Sequence, residues 1–131
     1  MAYEESLRQI SLDADATIGV WTGTPGLPGS AVPNSGHQYK WVKLTGERTV
    51  GLAASGDLPA GILQNKPQMV GAAAGVGFSG VSKAIVGAAG VAAGAVVGPD
   101  STGCTAADAN GRAIALSSGI AGAVVEVLLL G

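Results

Sequence analysis

The residues of this chain that could do chemistry are few, and the most suggestive of them are three glycines. Gly75, Gly77 and Gly80 form the pattern G-x-G-x-x-G, and Asp100 follows at a distance typical of dinucleotide-binding folds. There the pattern leads from a buried strand into a helix whose N-terminus meets the pyrophosphate. The segment after Gly80 is a poor helix, because its glycines between positions 87 and 98 each cost about 1 kcal/mol relative to alanine. The pattern therefore predicts bends and close backbone approach, and no cofactor.

Nucleophilic catalysis requires a base beside a nucleophile. His37 is the single histidine and lies in the turn-rich stretch PNSGHQYK, and Cys104 is the single cysteine. The sequence contains no G-x-S-x-G elbow, so no catalytic residue is predicted, and a small hydrolase centred on His37 is the enzyme alternative. One cysteine excludes a disulfide within the chain, and one histidine with one cysteine is too few for a metal cluster.

Asp13 and Asp15 form a D-x-D pair like the start of a calcium loop. The glycine that such a loop requires at its sixth position is absent, because Ile18 stands there. We expect both aspartates to serve turns, and no metal site is predicted.

Charge and hydropathy exclude further classes of partner. The net charge is −2 and the seven basic residues are scattered, which predicts no nucleic-acid binding. The uncharged run from Ala84 to Pro99 is shorter than the ~20 residues that a membrane helix needs, so no membrane partner is expected. Glu4 and Glu5 stand where a secretory signal would carry Lys or Arg, which predicts a mature cytosolic product.

The elements that must position any site are made of unusually small residues. The chain holds 22 glycines and only 4% aromatic residues. Small side chains bury little area each, so the core of a monomer would be thin. This composition favours an oligomer, in which a second surface also leaves water.

The chain divides near residue 45. Three prolines and four glycines between Thr22 and Gly36 argue against a helix or a central strand. Residues 1–45 are predicted to form an extended N-terminal arm, and residues 46–131 the core domain. Apolar side chains nevertheless mark the arm, and they either cap this protein's own core or dock on a partner. They include Leu7, Ile10, Leu12, Ile18, Trp21 and Trp41.

Short apolar runs between turn residues predict an all-β fold. A strand is expected up to Gly87, then a bend through AAGVAAG, then another strand. Asn110-Gly111 has the composition of a tight hairpin turn. The runs are RTVGLA at 48–53, GIL at 61–63, AAAGVGF at 72–78, VSKAIVG at 81–87, GAVVG at 94–98, RAIAL at 112–116 and AVVEVLLL at 123–130.

The last run is apolar on both faces. Val125, Val127 and Leu129 share one face of a strand, and Val124, Glu126, Leu128 and Leu130 share the other. A strand with one solvated face should alternate with polar residues. This one is predicted to be covered on both sides, either within the fold or by a neighbouring subunit.

Three segments together have a familiar pattern: GILQNKPQ at 61–68, SGVSKAIVGAAGVAAGAVVGPD at 79–100 and GRAIALSSGIAGAVVEVLLL at 111–130. They resemble the small capsid decoration, or cement, proteins of tailed bacteriophages. The family phrase falls on Gly80-Val81, Ala89-Gly90, Ala93-Gly94, Asp100, Gly122 and Val125 to Leu129. The upstream stretch ISLDADATIGVWTGTPGLPGSAVPN looks like the N-terminal region of the family. Ala72 and Ala123 depart from the pattern, where polar or acidic residues would be expected.

The resemblance implies a homotrimer of compact β-barrel or β-tulip-like domains that is not an enzyme and needs no cofactor. Such trimers sit on the outer surface of the virion and stabilise the lattice of the major capsid protein against the pressure of packaged DNA. The arm would then contact the capsid through Leu7, Ile10, Leu12, Ile18 and Trp21. Trp41, Val124, Glu126, Leu128 and Leu130 would make trimer or core contacts.

One expectation and one alternative accompany this assignment. Deletion of residues 1–20 should leave a folded trimer that no longer binds capsids. The alternative is another virion component, such as a head-fibre base or a tail-associated β trimer, and the sequence leaves the host, capsid geometry and copy number open.

Overall fold

The described residues form eleven β-strands, which confirms the predicted all-β class. The structure is a computed structural model, and it describes residues 7–15, 17–18, 21–22, 32–33, 37–65, 67 and 70–130. The strands are β1 Leu7–Ala14, β2 Trp21–Thr22, β3 Val32–Pro33, β4 Trp41–Gly46, β5 Thr49–Leu52, β6 Gly61–Leu63, β7 Ala73–Ile85, β8 Val96–Pro99, β9 Thr105–Ala107, β10 Ala113–Ala115 and β11 Val124–Leu130.

Nine strands form one sheet that is partly ring-like. Their order is β1-β5-β4-β6-β7-β11-β10-β8-β9, and β1 also pairs with β7. Strands β1, β5, β4, β6 and β7 therefore close into a ring of pairings, while β2 and β3 form a separate two-stranded sheet. The closed ring surrounds one core cluster, which consists of Leu12, Ala14, Ile18, Val42, Val50, Leu63, Ala74 and Val76.

Strand β7 joins the two parts of the sheet. Its first part pairs with β1 and β6, and its second part pairs with β11. The sequence predicted a break at Ser79 and Gly80, and this prediction is wrong. Gly80 takes a φ of 101° and still pairs with Leu7 on one side and Leu129 on the other. Glycine adopts this conformation without a Cβ clash, so the strand bends and continues.

The second part of the sheet consists of β11, β10, β8 and β9, and it curves back towards β7. An isolated bridge joins Val86, just after β7, to Thr105 of β9. This part covers the second core cluster, whose members are Trp41, Ala53, Ile62, Ala84, Val86, Val97, Ala113, Ala115, Val125, Val127 and Leu129.

The predicted arm is wrong for residues 7–14, because they form β1 within the main sheet. This strand pairs with β7 from Leu7 to Asp13 and with β5 at Asp13 and Ala14. The predicted boundary at residue 45 falls inside β4, which forms an antiparallel pair with β5. Two strands that share a hydrogen-bonded ladder belong to one folding unit, so no boundary separates them.

The predicted strand runs from residue 48 onward appear at β5, β6, β7, β8, β10 and β11, and residues 88–95 bend between β7 and β8 as expected. The hairpin predicted at Asn110-Gly111 is absent: β9 and β10 do not pair with each other, because both pair with β8. The turn is closed by Gly111 N donating to Asp108 O at 2.9 Å. It therefore carries the chain across β8.

Candidate interaction surface

The three glycines of the G-x-G-x-x-G pattern lie within β7 and not at the start of a helix. A Cβ added to Gly77 would lie 2.9 Å from both Leu7 Cδ1 and Gln64 Nε2. That separation is shorter than real Cβ contacts allow, so glycine lets the ends of the Leu7 and Gln64 side chains pack directly against the backbone of β7. The pattern serves packing, as the sequence reasoning expected.

His37 and Cys104, the two residues considered for nucleophilic catalysis, each contact a neighbouring polar group. Nδ1 of His37 lies 3.3 Å from Nζ of Lys40. Burial lowers the pKa of His37, and the nearby Lys40 charge lowers it further, which favours the neutral imidazole. Cys104 is half-buried, and its backbone N donates to Asp100 Oδ1 at 3.0 Å.

Asp15 closes a turn, as predicted. Its carboxylate accepts hydrogen bonds from the backbone N of Thr17 at 2.8 Å, from Thr17 Oγ1 at 2.6 Å and from Thr45 Oγ1 at 2.8 Å. Burial raises the pKa of Asp15, but the hydrogen bonds outweigh burial, and the pKa is lowered. Asp13 lies exposed within β1 and pairs with Thr49 and Ala73, so the prediction that it serves a turn is wrong. Among the described residues, no three His, Cys, Asp or Glu side chains gather as a metal-binding group.

A cleft of about 640 Å³ lies between the loop after β5 and the β8–β9 region. Its three carboxylates are already engaged by neighbouring groups. Asp57 accepts from Lys43 Nζ at 2.8 Å, and Asp108 accepts from the backbone N of Asn110 at 3.0 Å. Asp100 accepts from its own turn. The hydrogen bond from Lys43 lowers the pKa of Asp57, and the Ala54 amide adds to this effect. The three carboxylates therefore stabilise the segments that line the cleft.

The residues predicted to contact the capsid differ in how exposed they are. Leu12 and Ile18 are buried in the closed ring, so the prediction that they touch the capsid is wrong for these two side chains. Leu7 is partly buried against the second cluster. Ile10 remains 41% exposed. The side chain of Trp21 lies outside the described residues.

Trp41 is a core residue. It is 1% exposed and belongs to the second cluster, although its strand β4 belongs to the closed ring. Nε1 of its indole donates to Thr105 Oγ1 at 3.0 Å.

Strand β11 has one buried face and one open face within the single chain. Val125, Val127 and Leu129 are buried in the second cluster. On the other face Val124 is 53% exposed and Leu130 is 56% exposed. Leu128 is half-buried and Glu126 is exposed. The prediction that both faces of β11 are covered is therefore confirmed for the face that carries Val125, Val127 and Leu129. For the other face, cover by a neighbouring subunit stays a prediction.

The open face continues in register across four strands. Val81 of β7 pairs with Leu128 of β11, which pairs with Ile114 of β10, which pairs with Val96 of β8. Residues paired in register project to the same side of a sheet. These four side chains therefore form a transverse apolar row on the outer surface, and we call the outward side of β7, β11, β10 and β8 the apolar face.

On two of its strands, β10 and β7, the apolar face takes larger side chains than the core does. On β10, Ala113 and Ala115 point into the core, whereas Ile114 is half-buried outside and the adjoining Leu116 is 46% exposed. On β7, Ala84 is buried while Ile85 points outward. A chain that folds for its own core alone gains more by burying the larger group. The arrangement is therefore typical of an interaction surface.

Strand β1 in the closed ring shows the opposite pattern. Its side chains Gln9, Ser11 and Asp13 are exposed, and Leu12 and Ala14 are buried. From Ser11 to Ala14 this is the ordinary alternation of a strand that faces water on one side, although Ile10 is exposed as well. The in-register apolar row therefore belongs to the second part of β7 and to β11, β10 and β8.

One pair of charges lies within the apolar face. Lys83 of β7 and Glu126 of β11 are cross-strand partners, and both are exposed. Nζ of Lys83 lies 5.9 Å from the centroid of the Tyr39 ring. The ion pair found among the described residues joins Lys43 and Asp57, so Lys83 and Glu126 are not bonded to each other.

Sequence reasoning identified the β11 part of this surface and missed the rest. It named Val124, Glu126, Leu128 and Leu130 as trimer or core contacts, but it did not name Ile114 or Val96. The available signal was the run RAIAL, in which alanine alternates with larger apolar residues. Alternation of size within an apolar strand marks two faces with different neighbours.

Comparison with known proteins leaves this surface as the main guide to function. No protein-family model matches the chain, and no curated protein matches it. In the part of the chain that the structure describes, no helix is both long and apolar enough to cross a membrane.

Proposed function

We propose that this protein is a capsid decoration protein of a tailed bacteriophage, which binds the outer surface of the head as a homotrimer and stabilises the major capsid protein lattice. One observation carries the proposal: β10 and the second part of β7 direct larger apolar side chains outward than inward, which fits a chain that completes its apolar surface by association. A surface of this kind favours a role in binding, and the resemblance of residues 61–130 to phage cement proteins points to the phage head as the partner.

The chemistry of the described residues supports a binding role. The carboxylates of the large cleft and Asp15 stabilise turns, and the glycine pattern serves strand packing. In this proposal the ring-like sheet is the compact barrel or tulip-like domain of the family. Ile10 is the predicted capsid contact that remains exposed on β1.

Trimer formation would amplify weak individual contacts. A small apolar contact contributes roughly 25 cal/mol per Å² of buried area, and ordering the groups that make it opposes this gain. Once one subunit of a trimer is bound, the other two are held near their sites at high effective concentration. Avidity would therefore provide most of the affinity of the trimer for the capsid lattice.

The test is to mix the purified protein with undecorated heads of the source phage. We expect co-sedimentation at a fixed stoichiometry and a higher melting temperature of the heads. Heads that neither bind the protein nor melt at a higher temperature would contradict the proposal. Negative-stain images of gold-labelled protein separate it from its alternative, because a decoration protein labels the whole head, whereas a fibre base or tail component labels a vertex or the tail.

A further inference from the structure

We propose that copies of this chain associate through the apolar face, with Lys83 of one copy facing Glu126 of another. This inference rests on the self-association in the proposed function and assigns it a surface and a pair of contacts.

The dimensions of the apolar face suit the centre of an interface. Four neighbouring strands about 4.8 Å apart span roughly 15 Å, and the seven residues of β11 extend about 20 Å. A footprint of about 300 Å² falls within the range of the largest apolar patches on monomers, which are often functional. A standard interface buries about 800 Å² per partner, with a polar rim around an apolar centre. The face therefore supplies the centre of such an interface.

The charges on the face identify the occupant as a second copy. The face carries one cation and one anion, Lys83 and Glu126, which are side by side and not bonded to each other. A strongly charged partner would select a surface of one sign. A neighbouring copy of the same face instead presents its Glu126 to Lys83. In a closed trimer this contact repeats around the three-fold axis, so Lys83 of each copy meets Glu126 of the next.

Because apolar side chains surround Lys83 and Glu126, the strength of association depends on the charges that a second copy brings to this pair. Lys83 and Glu126 are flanked by Val124, Leu128 and Leu116. When a second copy covers these apolar groups, it also removes water from Lys83 and Glu126. Association then tolerates a contact between opposite charges, whereas a contact between like charges opposes it. The pair would thus set the register in which two apolar sheets pack.

The test uses charge exchange in the full-length protein, with association measured by sedimentation equilibrium and light scattering over a range of concentrations. The variants are Lys83→Glu, Glu126→Lys and the double exchange. Glu47→Lys is the matched control, because Glu47 is an exposed glutamate in the turn between β4 and β5. We expect each single exchange to weaken association roughly tenfold or more. The double exchange should restore it to within about threefold of the unchanged protein, and the control should have no effect.

Thermal unfolding of each variant, diluted until it is monomeric, separates folding from association. Equal melting temperatures with altered association support the inference. Single exchanges that associate like the unchanged protein would overturn it, as would a double exchange no better than the singles. As a second probe, Val124→Asp should abolish association, and unaltered association there would also overturn it.

Head binding by the same proteins keeps the two proposals distinguishable. If the unchanged protein binds heads but the exchanges leave its oligomeric state unaltered, this inference fails and the proposed function stands. If the exchanges behave as expected but no protein binds heads, the self-association surface stands and the decoration role fails.

Discussion

The indole of Trp41 donates a hydrogen bond from Nε1 to the hydroxyl of Thr105 at 3.0 Å, and both residues are buried. Trp41 begins β4 in the closed ring, whereas Thr105 begins β9 at the far end of the sheet order. The bond therefore ties together two strands that are 64 residues apart in the chain. It also satisfies the one polar side-chain atom of Trp41, which has the largest buried side chain among the described residues.

The first prediction concerns this hydrogen bond. Thr105→Val keeps the shape of the side chain but leaves the buried indole N–H without an acceptor, which costs about 1–3 kcal/mol of unfolding free energy. Thr105→Ser keeps the hydroxyl and should lose clearly less. Urea unfolding followed by tryptophan fluorescence measures both. A Thr105→Val protein as stable as the unchanged one would show that the bond contributes nothing.

The second prediction compares neighbouring leucines on β11. Leu129 is 5% exposed in the second cluster, and Leu130 is 56% exposed on the apolar face. In dilute, unassociated protein, Leu129→Ala should lower the unfolding free energy by about 2–5 kcal/mol, because it leaves a cavity. Leu130→Ala should change it by about 0.5 kcal/mol or less. Denaturant unfolding of both variants checks the difference, and equal losses would mean that the faces of β11 are assigned wrongly.

The third prediction replaces the expectation that residues 1–20 can be removed without unfolding the protein. That deletion takes away β1 and Ile18, which exposes Val50, Ala74 and Val76 of the first cluster. We expect the truncated chain to lose cooperative thermal unfolding and its near-ultraviolet circular dichroism. Deletion of residues 1–6 is the control, since it ends before β1 begins. A cooperative transition in the longer deletion would contradict the closed ring.

The fourth prediction concerns acid stability. The pKa of Asp15 lies below its ordinary value of 3.8 in the folded protein, so the folded state releases this proton more readily than the unfolded state does. Ionised Asp15 therefore stabilises the fold above pH 3.8, and this contribution is lost as the pH falls through the lowered pKa.

Asp15→Asn removes the titrating group and should be less stable than the unchanged protein at neutral pH. The difference should shrink as the pH falls below 3.8. Asp13→Asn is the matched control, because Asp13 is an exposed aspartate on β1, two residues before Asp15. Urea midpoints measured from pH 7 downward test this. A difference that is constant with pH would show that the ionised Asp15 carboxylate does not stabilise the fold.

The sequence by itself determined the all-β class and the places of most strands after residue 45. These follow from local properties: β-branched runs form extended segments, and Gly, Pro, Asp and Asn end them. Residues 61–63 form β6 as predicted, and the bend after Gly87 appears where alanine and glycine replace valine. The role of Asp15 in a turn was likewise readable, because an aspartate bonds to backbone groups close to it in the chain.

Only the tertiary structure decided that residues 7–14 belong to the sheet, that β7 runs unbroken through Gly80, and that Asn110-Gly111 does not close a hairpin. It also decided that Ile114 faces outward while Ala113 faces the core. The physical reason is the same in each case. The side chains of a strand alternate with a period of two, so pairing with distant strands sets which face is buried. Where both phases of a strand are apolar, its own residues cannot distinguish the core from the surface.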